Sequence, residues 1–254
     1  TLKRQEGCYN FYGVKIIRIA ISYVTAGAGH RRAAEAIAQA IGERFPEAEI
    51  TCLDVLAYAP GRYHTFYAWS YLLLVRHCPW VWKLSYALSD SPTIYPLLQP
   101  FRRMWNLCIT RRFVVALRAH QPDLVVATHF LPADVCSAGR ERRWLAAPLV
   151  VVVTDWHPHR FWLSPAADAL IVSTVEGAKV LERCGVKRER IHVLGIPVGS
   201  AFTRPIDRVG LHERFHLQPD RRTVLVTSGG TTVGQFEQVV ASLQSLEETL
   251  PGRL

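Results

Sequence analysis

Five side chains able to move a proton or hold a ligand follow closely on apolar runs: His30, His129, Asp155, His157 and His159. His30 comes directly after Gly27-Ala28-Gly29, between an apolar run, Ile16 to Val24, and a helical pattern. Free backbone N–H groups at a glycine turn and a helix start suit an anion or an oxygen-rich substrate. Imidazole is the side chain whose ordinary pKa lies nearest neutrality, so His30 is the candidate acid–base group. Three readings of this stretch stay open. It is a plain βα turn with a surface histidine. It is a G-x-G-x-x-G dinucleotide fingerprint, with Asp54 placed for a ribose but Arg32 standing where the third glycine belongs. Or it is a site where His30 activates a hydroxyl. His157-x-His159, with Asp155 and His129, offers metal-ligand types. Its spacing matches no common signature and Pro158 stiffens it, so no metal is expected.

These groups need elements to position them. Ala33, Ala34, Ile37, Ala38, Ile41 and Phe45 share one helical face, giving a helix over Arg31 to Phe45 that Pro46 stops. Glu49 to Val55 reads as a second strand, so the chain opens β–α–β, a parallel pair with a right-handed crossover. Leu124 to Ala127, Pro148 to Val153, Ala169 to Val172 and Ile191 to Leu194 read as further strands. The unbroken run PLVVVV marks a central parallel strand covered on both faces. A helix runs to about Arg143, and a single long one covers Phe101 to Ala119. The fold class is α/β, and His30, His129, Asp155, His157 and His159 all lie at the carboxyl ends of its strands, where such sheets bind ligands.

Tyr63 to Trp105 breaks the pattern. Four of the seven tryptophans lie here, and Pro79, Pro92, Pro96 and Pro100 cut the segment into short pieces. Its best apolar run, Tyr71 to Val75, falls far short of the roughly 20 residues a spanning helix needs. Trp69, Trp80 and Trp82, with Arg102 and Arg103, are the candidates for a membrane interface; a packed aromatic interior is the other reading. Residues 1–13 read as a lead-in, 14–204 as a Rossmann-like domain and 205–222 as a linker. From 223 a second β–turn–α unit begins, with Thr223 to Val226 as strand, Ser228 to Gly234 as glycine turn and Phe236 to Leu250 as helix.

The chain has 254 residues, 49% of them hydrophobic, enough for a large core. Six cysteines are scattered without a C-x-x-C pair, which fits reduced thiols in a cytoplasm. No signal peptide is read at the start. The net charge of +9 favours an anionic partner. No nucleic-acid-binding signature accompanies it, so no nucleic acid is expected, and a membrane surface or a phosphorylated substrate fits better.

The motifs in order are GAGHRRAAEAI at Gly27 to Ile37, THFLPA at Thr128 to Ala133, Thr154-Asp155 with His159 and Trp162, and GIPV at Gly195 to Val198. This series resembles the monogalactosyldiacylglycerol synthase and processive diacylglycerol glucosyltransferase family, over about residues 14–204. Ala28 stands where the family often has Gly. The resemblance implies a GT-B fold whose first domain takes the lipid acceptor and whose second holds most of the UDP-sugar. It implies an inverting hexosyl transfer to diacylglycerol, on the cytoplasmic face of a membrane and without a cofactor. It makes His30 the base, a role that a helix N-terminus suits by disfavouring imidazolium. Gly27, Gly29, His129, Asp155, His159 and Trp162 become acceptor-cleft residues. Ser228, Gly229, Gly230 and Gly234 become a donor-phosphate loop, less glycine-rich than the family's. On this reading a second domain continues beyond Leu254, and the 254 residues alone are inactive and bind no UDP-sugar. The alternatives are a polyprenyl-linked amino-sugar transferase of the peptidoglycan type and a non-catalytic membrane-binding module.

Overall fold

The computed structural model describes residues 16–25, 28–220, 223–227 and 236–249. Two units are distinct, residues 1–200 and 201–254. The first holds a six-stranded sheet: β1 (Arg18–Tyr23), β2 (Glu49–Asp54), β3 (Leu124–Ala127), β4 (Leu149–Val152), β5 (Ala169–Val172) and β6 (Ile191–Val193). All pairs are parallel, in the order β2-β1-β3-β4-β5-β6. The strand alternation serves two cores. Val125, Ala127, Leu149, Val151 and Val153 face one, which α5 (Arg111–His120) and α6 (Phe130–Glu141) cover with Phe113, Leu117, Leu131 and Val135. Val126 and Val152 face the other, beneath α1 (Ala28–Arg44) and its Ala34. That is why these short strands read as unbroken apolar runs.

Sheet order positions the chemistry. From β1 the chain crosses to β2 on one side, and β3 returns on the other, so a crevice opens at the carboxyl ends of β1 and β3. The helix α1 begins three residues earlier than its apolar face suggests, which places His30 in its first turn.

Between β2 and β3 lie α2 (Tyr63–His77), α3 (Pro79–Ser89), α4 (Tyr95–Ile109) and α5. The single helix expected over Phe101 to Ala119 is therefore two, broken at Thr110, whose hydroxyl donates back to the Asn106 carbonyl at 2.7 Å. The break lets α4 dock on α6 while α5 turns Phe113 and Leu117 under the sheet. The outward faces of α2, α3 and α4 carry large apolar side chains. Phe66, Trp69 and Leu73 on α2, Trp80, Leu84 and Leu88 on α3, and Leu97, Phe101, Met104 and Trp105 on α4 are all exposed at helical spacing, Trp80 by 69% and Phe101 by 70%.

Arg102 and Arg103, expected as cations at a membrane interface, turn the other way. Arg102 Nη2 meets Asp134 Oδ1 at 3.2 Å, and Arg103 Nη2 meets Glu141 Oε1 at 2.7 Å; the arginine side chains are only 14% and 20% exposed. Asn106 Nδ2 donates to the other Asp134 oxygen at 2.8 Å. Both cations hold α4 to α6, because the carboxylates of α6 are their nearest partners. Asp134→Ala should therefore cost on the order of 3 kcal/mol, since it leaves the mostly buried Arg102 and Asn106 without their carboxylate. Chemical denaturation of the variant would check this, and an unchanged midpoint would mean the pair contributes nothing net.

In the second unit, α8 (Arg208–Arg214) and α9 (Phe236–Thr249) are helical; α7 (Val175–Arg183) belongs to the first. Residues 223–226, expected as a strand, join no sheet among the described residues. Gly27, Ser228, Gly229, Gly230 and Gly234 lie outside the described residues.

Candidate active site

His30 is fixed by two threonines that the sheet delivers. Thr128 follows β3 and donates its hydroxyl to the His30 carbonyl at 2.9 Å. Its own carbonyl lies 2.9 Å from His30 Nδ1, and Thr154 Oγ1, after β4, lies 2.7 Å from the same nitrogen. A carbonyl only accepts, so Nδ1 carries the proton and Thr154 shares it. Nε2 is then a bare lone pair, without a partner among the described residues. Burial pushes the imidazole below its ordinary pKa; the Thr128 carbonyl and Asp155 pull the other way without overcoming it. His30 thus presents a neutral imidazole whose Nε2 lone pair is unengaged among the described residues.

Two further histidines cap helices. His129 precedes α6 and accepts from Leu131 N–H on Nδ1 at 3.0 Å. Burial holds it well below the ordinary histidine range, with His30 adding to the effect. Its ring stands edge-on to His30, with centroids 4.5 Å apart. His159 accepts from Phe161 N–H on Nδ1 at 3.0 Å, leaving Nε2–H to donate to the Tyr86 carbonyl at 3.1 Å. Burial lowers its pKa as well, against the opposing pull of the Tyr86 carbonyl and Asp90. Asp90 in turn accepts from Arg160 N–H at 2.8 Å. These bonds fasten the end of α3 to the loop after β4.

A cavity of about 260 Å³ brings the pieces together. His30, His129, Asp155 and His159 line it, with Tyr67 of α2, Trp82 and Tyr86 of α3, and Phe130 and Phe161. The helical insertion is therefore a wall of the site. Trp82, expected at a membrane interface, is half-buried and faces this cavity instead, while Trp69 and Trp80 are exposed. Trp162, expected in the cleft, is fully buried; its indole N–H donates to Asp155 Oδ2 at 2.7 Å and so orients that carboxylate from below. His157 is exposed and does not line the cavity. Gly29 sits in the first turn of α1 with open space about it. Asp54, weighed above for a ribose, instead accepts from the N–H groups of Thr25 and Leu56.

Thr128 and Thr154 carry no role in the sequence reading, although both stand beside singled-out residues. Tyr67 and Tyr86 were read only as members of the aromatic insertion, which the family resemblance makes an acceptor and membrane region, and Phe130 and Phe161 carried no individual role. Their signal was position: each lies in the aromatic insertion or next to a strand-end histidine.

The family described as monogalactosyldiacylglycerol (MGDG) synthase matches residues 30–198. Monogalactosyldiacylglycerol synthase 1 of Arabidopsis thaliana is 27% identical over 232 residues, covering 89% of this chain and 43% of that protein. A processive diacylglycerol beta-glucosyltransferase of Staphylococcus carnosus is 30% identical over 132 residues, covering 52% of this chain and 33% of that one. The chain thus spans less than half the length of either relative. Among solved structures, a UDP-N-acetylglucosamine 2-epimerase from Rickettsia bellii overlays with a TM-score of 0.46 at 12% identity, covering 92% of this chain and 60% of that one. The match over residues 30–198 takes in the crevice and its aromatic wall, and by it this chain belongs to the monogalactosyldiacylglycerol synthase family.

Proposed function

We propose that the complete protein transfers a hexosyl group from a UDP-sugar to a diacylglycerol-type lipid, with inversion, while resting on a membrane surface. The observation that carries this is the unengaged Nε2 of a neutral His30, at a cavity walled by aromatic side chains of the helical insertion. In the step, the acceptor hydroxyl gives its proton to Nε2 as its oxygen forms a bond to the anomeric carbon. The bond from that carbon to the diphosphate breaks, and UDP leaves with the electron pair. The glycine turn at Ser228 to Gly234 is proposed to meet the diphosphate. Names of the relatives, a galactolipid synthase and a diacylglycerol glucosyltransferase, support the donor and acceptor classes.

The membrane reading draws on the exposed apolar faces of α2, α3 and α4. No helix among the described residues is long and apolar enough to cross a bilayer. Between Val55 and Gln121 the sequence has eight arginines and lysines, of which Arg102 and Arg103 pair with α6 and six remain, and one carboxylate, Asp90, which accepts from Arg160 N–H. A cationic, apolar surface of this kind suits an anionic lipid interface. We place the protein peripherally on the cytoplasmic face, in keeping with five free cysteines among the described residues. No cofactor or metal is proposed, because His129 and His159 already spend Nδ1 on helix caps.

The test is a panel of UDP-sugars offered to the complete protein with vesicles carrying either diacylglycerol or a polyprenyl-linked amino sugar. Glycosylation of diacylglycerol by one UDP-hexose, undiminished by a chelator, is the expected result. Transfer to the polyprenyl acceptor alone would overturn the acceptor, and loss of activity with chelator would overturn the metal-free reaction.

A further inference from the structure

We infer that His129 donates a hydrogen bond from Nε2–H to the same hydroxyl oxygen that His30 deprotonates. This rests on the transfer reading above. The two imidazoles have opposite hydrogen-bond sense for a structural reason. At His30 a carbonyl beside Nδ1 forces the proton onto Nδ1, so Nε2 can only accept. At His129 a backbone N–H beside Nδ1 forces the proton onto Nε2, which can then only donate. Neither Nε2 has a partner among the described residues, and both rings line the one cavity. With centroids 4.5 Å apart and planes at 80°, the two rings are neighbours on the cavity wall, and the proposal requires one oxygen to lie within reach of both Nε2 atoms. Two hydrogen bonds of about 2.9 Å each are all that is required.

A hydroxyl held this way gives its proton to one ring and accepts from the other. One lone pair is left for attack on carbon, and the two bonds fix its direction. As the proton departs, negative charge grows on the oxygen, so the bond from His129 strengthens toward the transition state. His129 must stay neutral for this. Its burial among Phe130 and Trp162 keeps it so, and a second cation beside His30 would oppose proton uptake there.

His129 also caps α6, so the test must separate donor from cap. Serine is itself a good cap but carries no ring. His129→Ser in the complete protein should fold with a Tm near the parent and bind UDP equally well. Its kcat/KM for the lipid acceptor should fall by about 10²–10³-fold, and added imidazole should restore part of the loss. A folded variant with parental kcat/KM would overturn the proposal. Should the variant fail to fold, ¹⁵N spectra of the parent histidines decide: Nε2 protonated at His129 and Nδ1 protonated at His30 are required, and the same tautomer at both would refute it. A parent that glycosylates no lipid would sink the transfer reading, while the ¹⁵N spectra would still show whether His129 presents a donor.

Discussion

His30→Ala in the complete protein is expected to lower turnover by about 10²–10⁴-fold, the usual worth of a positioned general base. Binding of UDP should hardly change, because His30 faces the aromatic cavity proposed for the acceptor. The parent should also show a characteristic pH profile. The active form is neutral imidazole, and burial lowers its pKa, so the acid limb of kcat/KM should lie below the ordinary histidine value of 6.5. Activity should be level through neutrality and fall only as the pH drops past that limb. Asp155 pulls the pKa of His30 upward, so Asp155→Asn should move the limb to still lower pH. A limb above 6.5, or equal turnover in the alanine variant, would end the base assignment.

The second large effect concerns the outward faces of α3 and α4. Trp80, Leu97 and Phe101 are each about seventy per cent exposed and are expected to enter the headgroup boundary. Full burial of such a side chain is worth about 1.5–3 kcal/mol, and shallow insertion a fraction of that. At about 1 kcal/mol each, changing all three to Ser should weaken vesicle binding roughly 10²-fold. The fold should survive, since these side chains already face outward. Binding by the parent should rise with the anionic lipid fraction and drop, without vanishing, in salt. Equal co-sedimentation of parent and triple variant would remove these helices from the membrane. Arg102→Ala and Arg103→Ala are the contrast: they should lower stability more than lipid dependence, because both cations pair with α6.

The sheet was legible in the sequence because parallel strands covered on both faces are continuous apolar runs, and LVVA and LVVV admit little else. The strand-end chemistry was legible for the same reason: a histidine or aspartate directly after such a run must sit at the carboxyl edge. The insertion was harder. Spacings such as Phe66, Trp69 and Leu73 are the same whether a stripe faces a core or faces outward, and only burial tells them apart. The inward turn of Arg102 and Arg103 was hidden because their carboxylates lie on α6, over thirty residues away. The histidine caps were missed because serine, threonine, aspartate and asparagine are the residues one looks for there. The break at Thr110 has no glycine or proline to announce it.

The bonds from His159 to the Tyr86 carbonyl and from Arg160 N–H to Asp90 bear on where a lipid can react. They tie the end of α3 to the loop after β4, and the same loop carries Thr154, which holds His30. If α3 settles into the headgroups, the height of the base above the bilayer is set by this latch and not by loop motion. On the proposed function the latch would act as a depth gauge: an acceptor would have to rise out of its leaflet by a fixed distance before its hydroxyl meets Nε2. Lipids whose chains resist that lift would be poor acceptors even with an identical headgroup.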